Sequence, residues 1–511
     1  LSTNFEILAS ALTLLKLKAS SDIPTTNKRI KRLSSNRLSR VMLLFFVARP
    51  ASNIRARRMR RNTRTSKLVT CFLASAFVLL PVQMRLSAQT PTKEQGAVPA
   101  IAIPQQNQSV TTTDDVAPVY GLQGVLIETL DGKIVSSQSA DEPFNPASSV
   151  KLATALIALR NFGPNHRFTT GFWTDGSFDK ATGQVRGNLF VTGRDPSFHH
   201  EHAVMIARQL NSLGIRTITG NLIVAPGFTM NFNSSARGSG ELLYDTLDAT
   251  RRSSEATRAW NYERTALGDL TSLQTVPSLA VMGEVSIGPA APGARLLLTH
   301  KSSKLTDVLK VLLCYSSNFM AERIGDSLGG KEAVSEQLVK SLGISPSEIH
   351  LASLSGLGVN RVTPRAMMRI LRALRNELQK NKLSPSDIMP VAGIDPGTLE
   401  DRFTGPAWKG SVIAKTGTLV RTDGGASSLV GQMRTKSGET LLFVIMNQRG
   451  NVVRFRSNQD YLVMLVQNSR GGPKPFNYKP LALTMKLADT ESVSGSTMEP
   501  GTTLQAHPNS P

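Results

Sequence analysis

The chain has 511 residues and a formal net charge of +22, long enough for a sizeable core and more than one domain. The position of the charge argues against a nucleic-acid partner. Residues 1–88 carry 17 Lys/Arg against Glu6 and Asp22, and the remaining 42 basic and 35 acidic residues leave a modest excess that demands no polyanionic ligand. Two cysteines, Cys71 and Cys314, exclude a disulfide scaffold, so the core must hold the fold.

In chain order, Arg55, Arg57, Arg58, Arg60, Arg61, Arg64 and Lys67 precede the apolar run Leu68–Val82, and small residues follow at Ser87 and Ala88. That succession predicts a signal peptide cleaved near Ala88 and an exported protein. The run is short for a membrane-spanning helix and is broken by Pro81. Residues 1–58 add a second basic stretch and are read as a start-site artefact, with Met42 or Met59 nearer the true start. Residues 89–117 read as a linker. Gly124–Leu130 and Lys133–Ser137, joined by Asp131-Gly132, form a hairpin, and a helix spans 148–162.

Residues 165–295 change texture and predict a smaller inserted domain, mainly β, with one helix around 200–213. Helices over Leu305–Tyr315 and Phe319–Leu328 flank Ser316-Ser317-Asn318, and Thr363-Pro364 opens a basic helix ending near 380. Strand-like runs at 411–418, 427–434 and 440–447 precede a helix near Arg454–Gln467. Residues 470–511, rich in Pro, Gly, Ser and Thr, read as disordered. One α/β domain, 118–164 with 296–469, therefore surrounds the insert.

The 148–162 helix is rich in Ala and Leu and apolar on most sides, so it belongs inside a domain. Ser148 and Lys151 stand one turn apart at its mouth and can touch. There a serine hydroxyl meets the positive end of the helix dipole, and an uncharged lysine could take its proton. Ser149 is turned away from Lys151 and is the weaker nucleophile. Ser-x-x-Lys alone is common: Ser177-Phe-Asp-Lys180 repeats the spacing in an apparent turn. Two further short motifs, Ser316-Ser-Asn318 between helices and Lys415-Thr416-Gly417 in a strand, complete an ordered set. Lys436-Ser437-Gly438 shows how readily the third arises by chance.

The set resembles that of penicillin-binding proteins and serine β-lactamases. The flanks Asn165-His-Arg-Phe, Gly187-Asn-Leu-Phe-Val-Thr-Gly-Arg-Asp-Pro-Ser, Leu354-Ser-Gly-Leu, Asn360-Arg-Val-Thr-Pro and Ala414-Lys-Thr-Gly-Thr-Leu are similar to the class C low-molecular-mass penicillin-binding proteins. These are D-alanyl-D-alanine carboxypeptidases/endopeptidases of the periplasm or outer cell wall. The resemblance covers roughly 118–468. It implies a transpeptidase/serine β-lactamase-like domain, an antiparallel sheet flanked by helices, interrupted by an insert.

It also implies roles. Ser148 is the nucleophile and Lys151 its base, Ser316 and Lys415 relay a proton, and Asn318 binds the substrate backbone. Lys415 and Thr416 hold the terminal carboxylate, Gly417 lets substrate approach the strand, and the N–H groups of Ser148 and Thr418 form the oxyanion hole. Peptidoglycan stem peptides are the implied substrate, with β-lactams as inhibitors and no cofactor. The chain departs from the family at Ser353-Leu-Ser-Gly-Leu-Gly, at Ser317 where Asp is customary, and in a shortened insert. A β-lactamase-like hydrolase and a catalytically weakened wall-binding protein are the alternatives. His199-His200-Glu201-His202 could suggest a metal, but it lacks matched ligands and reads as a solvated loop or helix start. Arg365, Arg369, Arg372 and Arg375 could face wall polymer or membrane, a solvated helix face being the default.

Overall fold

The computed structural model describes residues 120–269 and 276–494; the expected leader, the linker and the chain after 494 lie outside them. Five strands form one antiparallel sheet: β1 (Leu122–Thr129), β2 (Ile134–Gln138), β3 (Val412–Leu419), β4 (Ala426–Arg434) and β5 (Thr440–Gln448), in the order β3-β4-β5-β1-β2. The early and late parts of the chain meet where β1 pairs with β5, Leu122 opposite Gln448. Strand side chains alternate between faces, and here both faces are covered. On one, Leu126, Ile413, Val430, Val444 and Met446 join a cluster with α1 (Lys151–Phe162), α2 (Leu305–Tyr315), α3 (Asn318–Ser327) and α4 (Pro364–Lys380). On the other, Val125, Ala414, Leu429, Phe443 and Ile445 pack with Leu462 and Val463 of α5 (Val452–Asn468).

The helix expected over 148–162 begins as a 3-10 turn, Ala147–Val150, before α1. Every α1 residue from Lys151 to Leu159 is buried, as its largely apolar composition requires. Gly163 takes φ 81° at its end, a conformation that suits glycine.

The insert carries its own apolar cluster, centred on Phe172, Val191, Ile206, Leu222 and Leu298. Its main sheet runs through Val285–Ile287, Leu222–Val224, Leu189–Gly193, Thr169–Thr174 and Arg295–Lys301, so the insert's last strand reaches past the expected boundary at 295. Alongside the strands stand three helices, His200–Ser212, Ala236–Leu247 and Ser254–Ala266. The last two escape a sequence reading because their apolar residues are sparse, although Ser235 and Ser253 cap them by accepting from the Gly238 and Ala256 N–H groups. Ser177 lies in a short strand, Ser177–Asp179, rather than a turn.

The tail read as disordered is ordered as far as Ser494. Residues Leu483–Ala488 form a helix, and Glu491–Ser494 pairs antiparallel with Arg295–Lys301, completing the insert sheet. Its Pro and Gly content masked a few well-placed anchors. Leu483 is buried in the main cluster, Lys486 reaches Asp307 at 2.6 Å, and the Tyr478 hydroxyl donates to Asp395. Three of the four arginines of α4 pair with carboxylates: Arg365 with Asp141, Arg369 with Glu348 and Arg372 with Glu128. Leu483→Ala should lower unfolding free energy by about 2–4 kcal/mol, read by urea denaturation, whereas a disordered tail would give no change.

Candidate active site

Lys151 is fully buried at the first turn of α1. Its Nζ lies 3.0 Å from Ser148 Oγ, 2.7 Å from Asn318 Oδ1 and 2.5 Å from the Ser355 carbonyl oxygen. Asn318 opens α3, and Ser355 belongs to the loop before α4. Glu322 of α3 fixes that loop by accepting from Ser355 N–H at 2.9 Å. A second group sits at the edge of the sheet: Lys415 Nζ donates to Ser316 Oγ at 2.9 Å and to the Thr416 carbonyl at 2.7 Å. Ser316, at φ 58°, is the left-handed residue that ends α2. With Asn318 two residues on, one helix junction serves both lysines. Burial holds the Lys415 amine far below its ordinary value, at about 7.

β3 is an edge strand, and its orientation follows from its neighbours. Ala414 N–H donates to the Pro390 carbonyl, and the Val412 carbonyl accepts from Ala392 N–H. Even-numbered residues therefore turn their backbone polar groups to the outer edge, and the period of two carries this to the Thr416 carbonyl and the Thr418 N–H. Ser148 lies in the first turn of its helix, where N–H groups have no intrahelical partner.

The turn that carries Ser148 is tightly packed against β3. A Cβ at Gly417 would lie 2.5 Å from the Pro146 carbonyl and against Ser428 Oγ, so the close approach there is made by the protein's own chain. Ser149 is fully buried, and its Oγ pairs with Ser428 Oγ at 2.6 Å, a structural role that removes it as a nucleophile. Ala147, at φ 46°, is held by donating its N–H to Asn145 Oδ1 at 3.0 Å. Asn145 Nδ2 in turn donates to Asp423 Oδ2 at 2.7 Å, and Arg361 grips Asp423 through two 2.8 Å bonds. Asn145 and Asp423 lie outside the quoted motifs, and Ser355 lies in Leu354-Ser-Gly-Leu, which assigned it no role. Ser355 acts through a backbone carbonyl that any residue would supply, and the other two are matched only in three dimensions.

One departure from the expected pattern, Ser317, has a local explanation. Ser317 caps α3 by accepting from Met320 N–H, a task Asp also performs. The histidine run does open a helix, but it is buried rather than solvated. His199 packs on Phe232, His202 on His300, and Phe198 on both His202 and His300. Burial lowers the His199 pKa to about 4. Among the described residues no group of three or more His, Cys, Asp or Glu side chains is placed to hold a metal ion.

The model of one protein family, D-Ala-D-Ala carboxypeptidase 3 (S13), matches residues 113–234 and 249–468. The chain belongs to that family. The unmatched stretch between the two segments contains the helix Ala236–Leu247. This S13 chain is 26% identical over 481 residues to a D-alanyl-D-alanine carboxypeptidase of Actinomadura sp., with 73% of this chain and 86% of that protein covered. It is 25% identical over 399 residues to a carboxypeptidase of Mycobacterium tuberculosis, with 70% and 85% covered. Among solved structures, the penicillin G-acylated predatory endopeptidase of Bdellovibrio bacteriovorus, in complex with an immunity protein, shares the fold. Its TM-score is 0.62 at 22% identity, over 73% of this chain and 100% of that one. Penicillin binding protein 4 of Haemophilus influenzae also shares it, with a TM-score of 0.51 at 21% identity, over 67% and 96%. The S13 assignment identifies a serine-type D-Ala-D-Ala carboxypeptidase on an α/β fold with added sheets.

Adding a methyl group at Gly417 tests the packing. Gly417→Ala should cost about 1–3 kcal/mol of stability and slow acylation by a β-lactam at least about tenfold. A variant that acylates at the wild-type rate would show that the strand and the nucleophile's turn need not touch.

Proposed function

We propose that this protein is a serine D-alanyl-D-alanine carboxypeptidase/endopeptidase that acts on peptidoglycan stem peptides through an acyl-enzyme on Ser148. The observation that supports this most is the setting of Lys151. A neutral amine has two N–H donors and one lone pair. Two of the three oxygens described around Lys151 belong to carbonyls, which only accept, and the third is the Ser148 hydroxyl, which can donate. In the proposed resting state a neutral Lys151 donates to the two carbonyls and directs its lone pair at the Ser148 proton.

In the proposed reaction, Ser148 Oγ bonds to the carbonyl carbon of the penultimate D-alanine as its proton passes to Lys151. The N–H groups of Ser148 and Thr418 hold the developing oxyanion. The C–N bond breaks, and the leaving amine takes a proton from Ser316, which is resupplied by Lys415. The proton that Lys151 took from Ser148 passes on to restore charged Lys415, leaving Lys151 neutral. Water then attacks the ester carbonyl as its proton passes to Lys151, and the C–Oγ bond breaks as Lys151 hands that proton to Ser148 Oγ. Asn318 aligns the peptide, while charged Lys415 and the Thr416 hydroxyl receive the terminal carboxylate. Penicillins would enter as mimics of the D-Ala-D-Ala end. The basic, then apolar segment 55–88 supports export to the periplasm or outer wall, where stem peptides are found.

D-alanine release from a pentapeptide and labelling by a fluorescent penicillin test this reading together. Ser148→Ala should abolish the label and cut release at least about a thousandfold; label retained by the variant would place the acyl group elsewhere. The pH profile tests Lys415. Its charged form both grips the carboxylate and supplies the proton, so kcat/KM should fall as pH rises through about 7. Substrate carboxylate favours the charged amine, so the same limb in kcat should lie at higher pH. Lys415→Arg keeps its charge and should flatten the limb; an unchanged limb in that variant would assign the titration to another group.

A further inference from the structure

The carboxylate end of the cleft contains a cation that this mechanism has not used. Arg456 lies on the first turns of α5 with an exposed side chain, and its Nη2 donates to Thr418 Oγ1 at 2.8 Å. The Thr418 hydroxyl donates in turn to the Gly417 carbonyl at 2.8 Å, so the guanidinium is seated on a hydroxyl that is itself held in place. A guanidinium has five N–H donors, and among the described residues Thr418 is the one acceptor bonded to this side chain. The nearby carboxylate, Asp460, is taken by Arg402, whose Nε and Nη2 both reach it. The one carboxylate beside these two guanidinium groups is thus bonded to Arg402 alone. Burial and Arg402 both lower the Arg456 pKa, so a further anion would be welcome there.

The position of that anion follows from the proposed reaction, on which this inference rests. With the attacked carbonyl at the Thr418 N–H, the carboxylate of the last residue lies three bonds beyond, about 4 Å from the carbonyl carbon. That distance keeps it beside the Thr416 and Thr418 hydroxyls and within reach of a guanidinium 2.8 Å from Thr418 Oγ1. We propose that Arg456 is a specificity-determining residue: its guanidinium, seated on Thr418, grips the free α-carboxylate of the substrate's C-terminal residue together with Lys415 and Thr416. It thereby selects peptides ending in a free carboxylate over those with a neutral end.

The test compares D-alanine release from an acyl-D-Ala-D-Ala acid with D-alaninamide release from its C-terminal amide, in wild type, Arg456→Ala and Arg456→Lys. Losing a charge-assisted hydrogen bond should reduce kcat/KM for the acid about 10- to 100-fold, mainly through KM. The acid-to-amide ratio should fall by a similar factor, and Arg456→Lys should recover part of it. Equal losses on both substrates would mark Arg456 as merely structural, and an unchanged ratio would remove it from recognition; either result overturns the inference. Failure of the underlying reading looks different: wild type would cleave neither peptide and Ser148 would take no penicillin label. That result overturns both proposals.

Discussion

The structure turns on one fully buried amine whose described partners include two carbonyl oxygens and a hydroxyl. Lys151 can occupy that position because α1 is made of Ala and Leu and is buried on every side, which removes solvent as an alternative partner. The acceptors come from separate places: Asn318 from the start of α3 and Ser355 from a loop pinned by Glu322. Burial makes each partner consequential, because a buried polar group left unpaired costs more than its hydrogen bond contributes. The same junction that supplies Asn318 presents Ser316 to Lys415, so a shift of α2 against α3 would disturb both amines together.

Around this centre the chain holds conformations that an isolated peptide would avoid. Ala147 and Asp423 have positive φ values of 46° and 55°, each costing about 1–3 kcal/mol unless its surroundings over-determine it. Asn145 connects them, accepting from Ala147 N–H and donating to Asp423, and Arg361 closes the network. The Arg361 hydrogen bonds keep the Asp423 carboxyl below its ordinary pKa, so the network stays charged at neutral pH. It joins three walls of the cleft: the turn that carries Ser148, the loop that carries Ser355 and the loop that leaves β3.

Much of this was legible in the sequence because the chemistry is local. Ser148 and Lys151 share a helix mouth, Ser316 and Asn318 share a helix junction, and Lys415 to Thr418 share a strand. In each case the motif and its secondary structure are set by neighbouring residues. What escaped notice is held by long-range pairing. Ser355 contributes a carbonyl, for which side-chain identity carries no signal. Asp423 and Asn145 are 278 positions apart, and Arg456 meets Thr418 only after α5 packs on the sheet. The same holds at Gly417, where the atoms that crowd the strand belong to Pro146 and Ser428. The tail was misjudged because composition averages over a segment, whereas Leu483 and Tyr478 each act through a single contact.

The most direct test of the account is the number of hydrogens on one nitrogen. Neutron diffraction from deuterium-exchanged crystals of the substrate-free protein at mildly alkaline pH would show them. The account predicts two deuterons on Lys151 Nζ, directed at Asn318 Oδ1 and the Ser355 carbonyl, with the Ser148 hydroxyl deuteron directed at Nζ. Three deuterons on Nζ, one of them pointing at Ser148 Oγ, would mean that the lysine is charged and cannot accept the serine proton, and the central claim would be wrong.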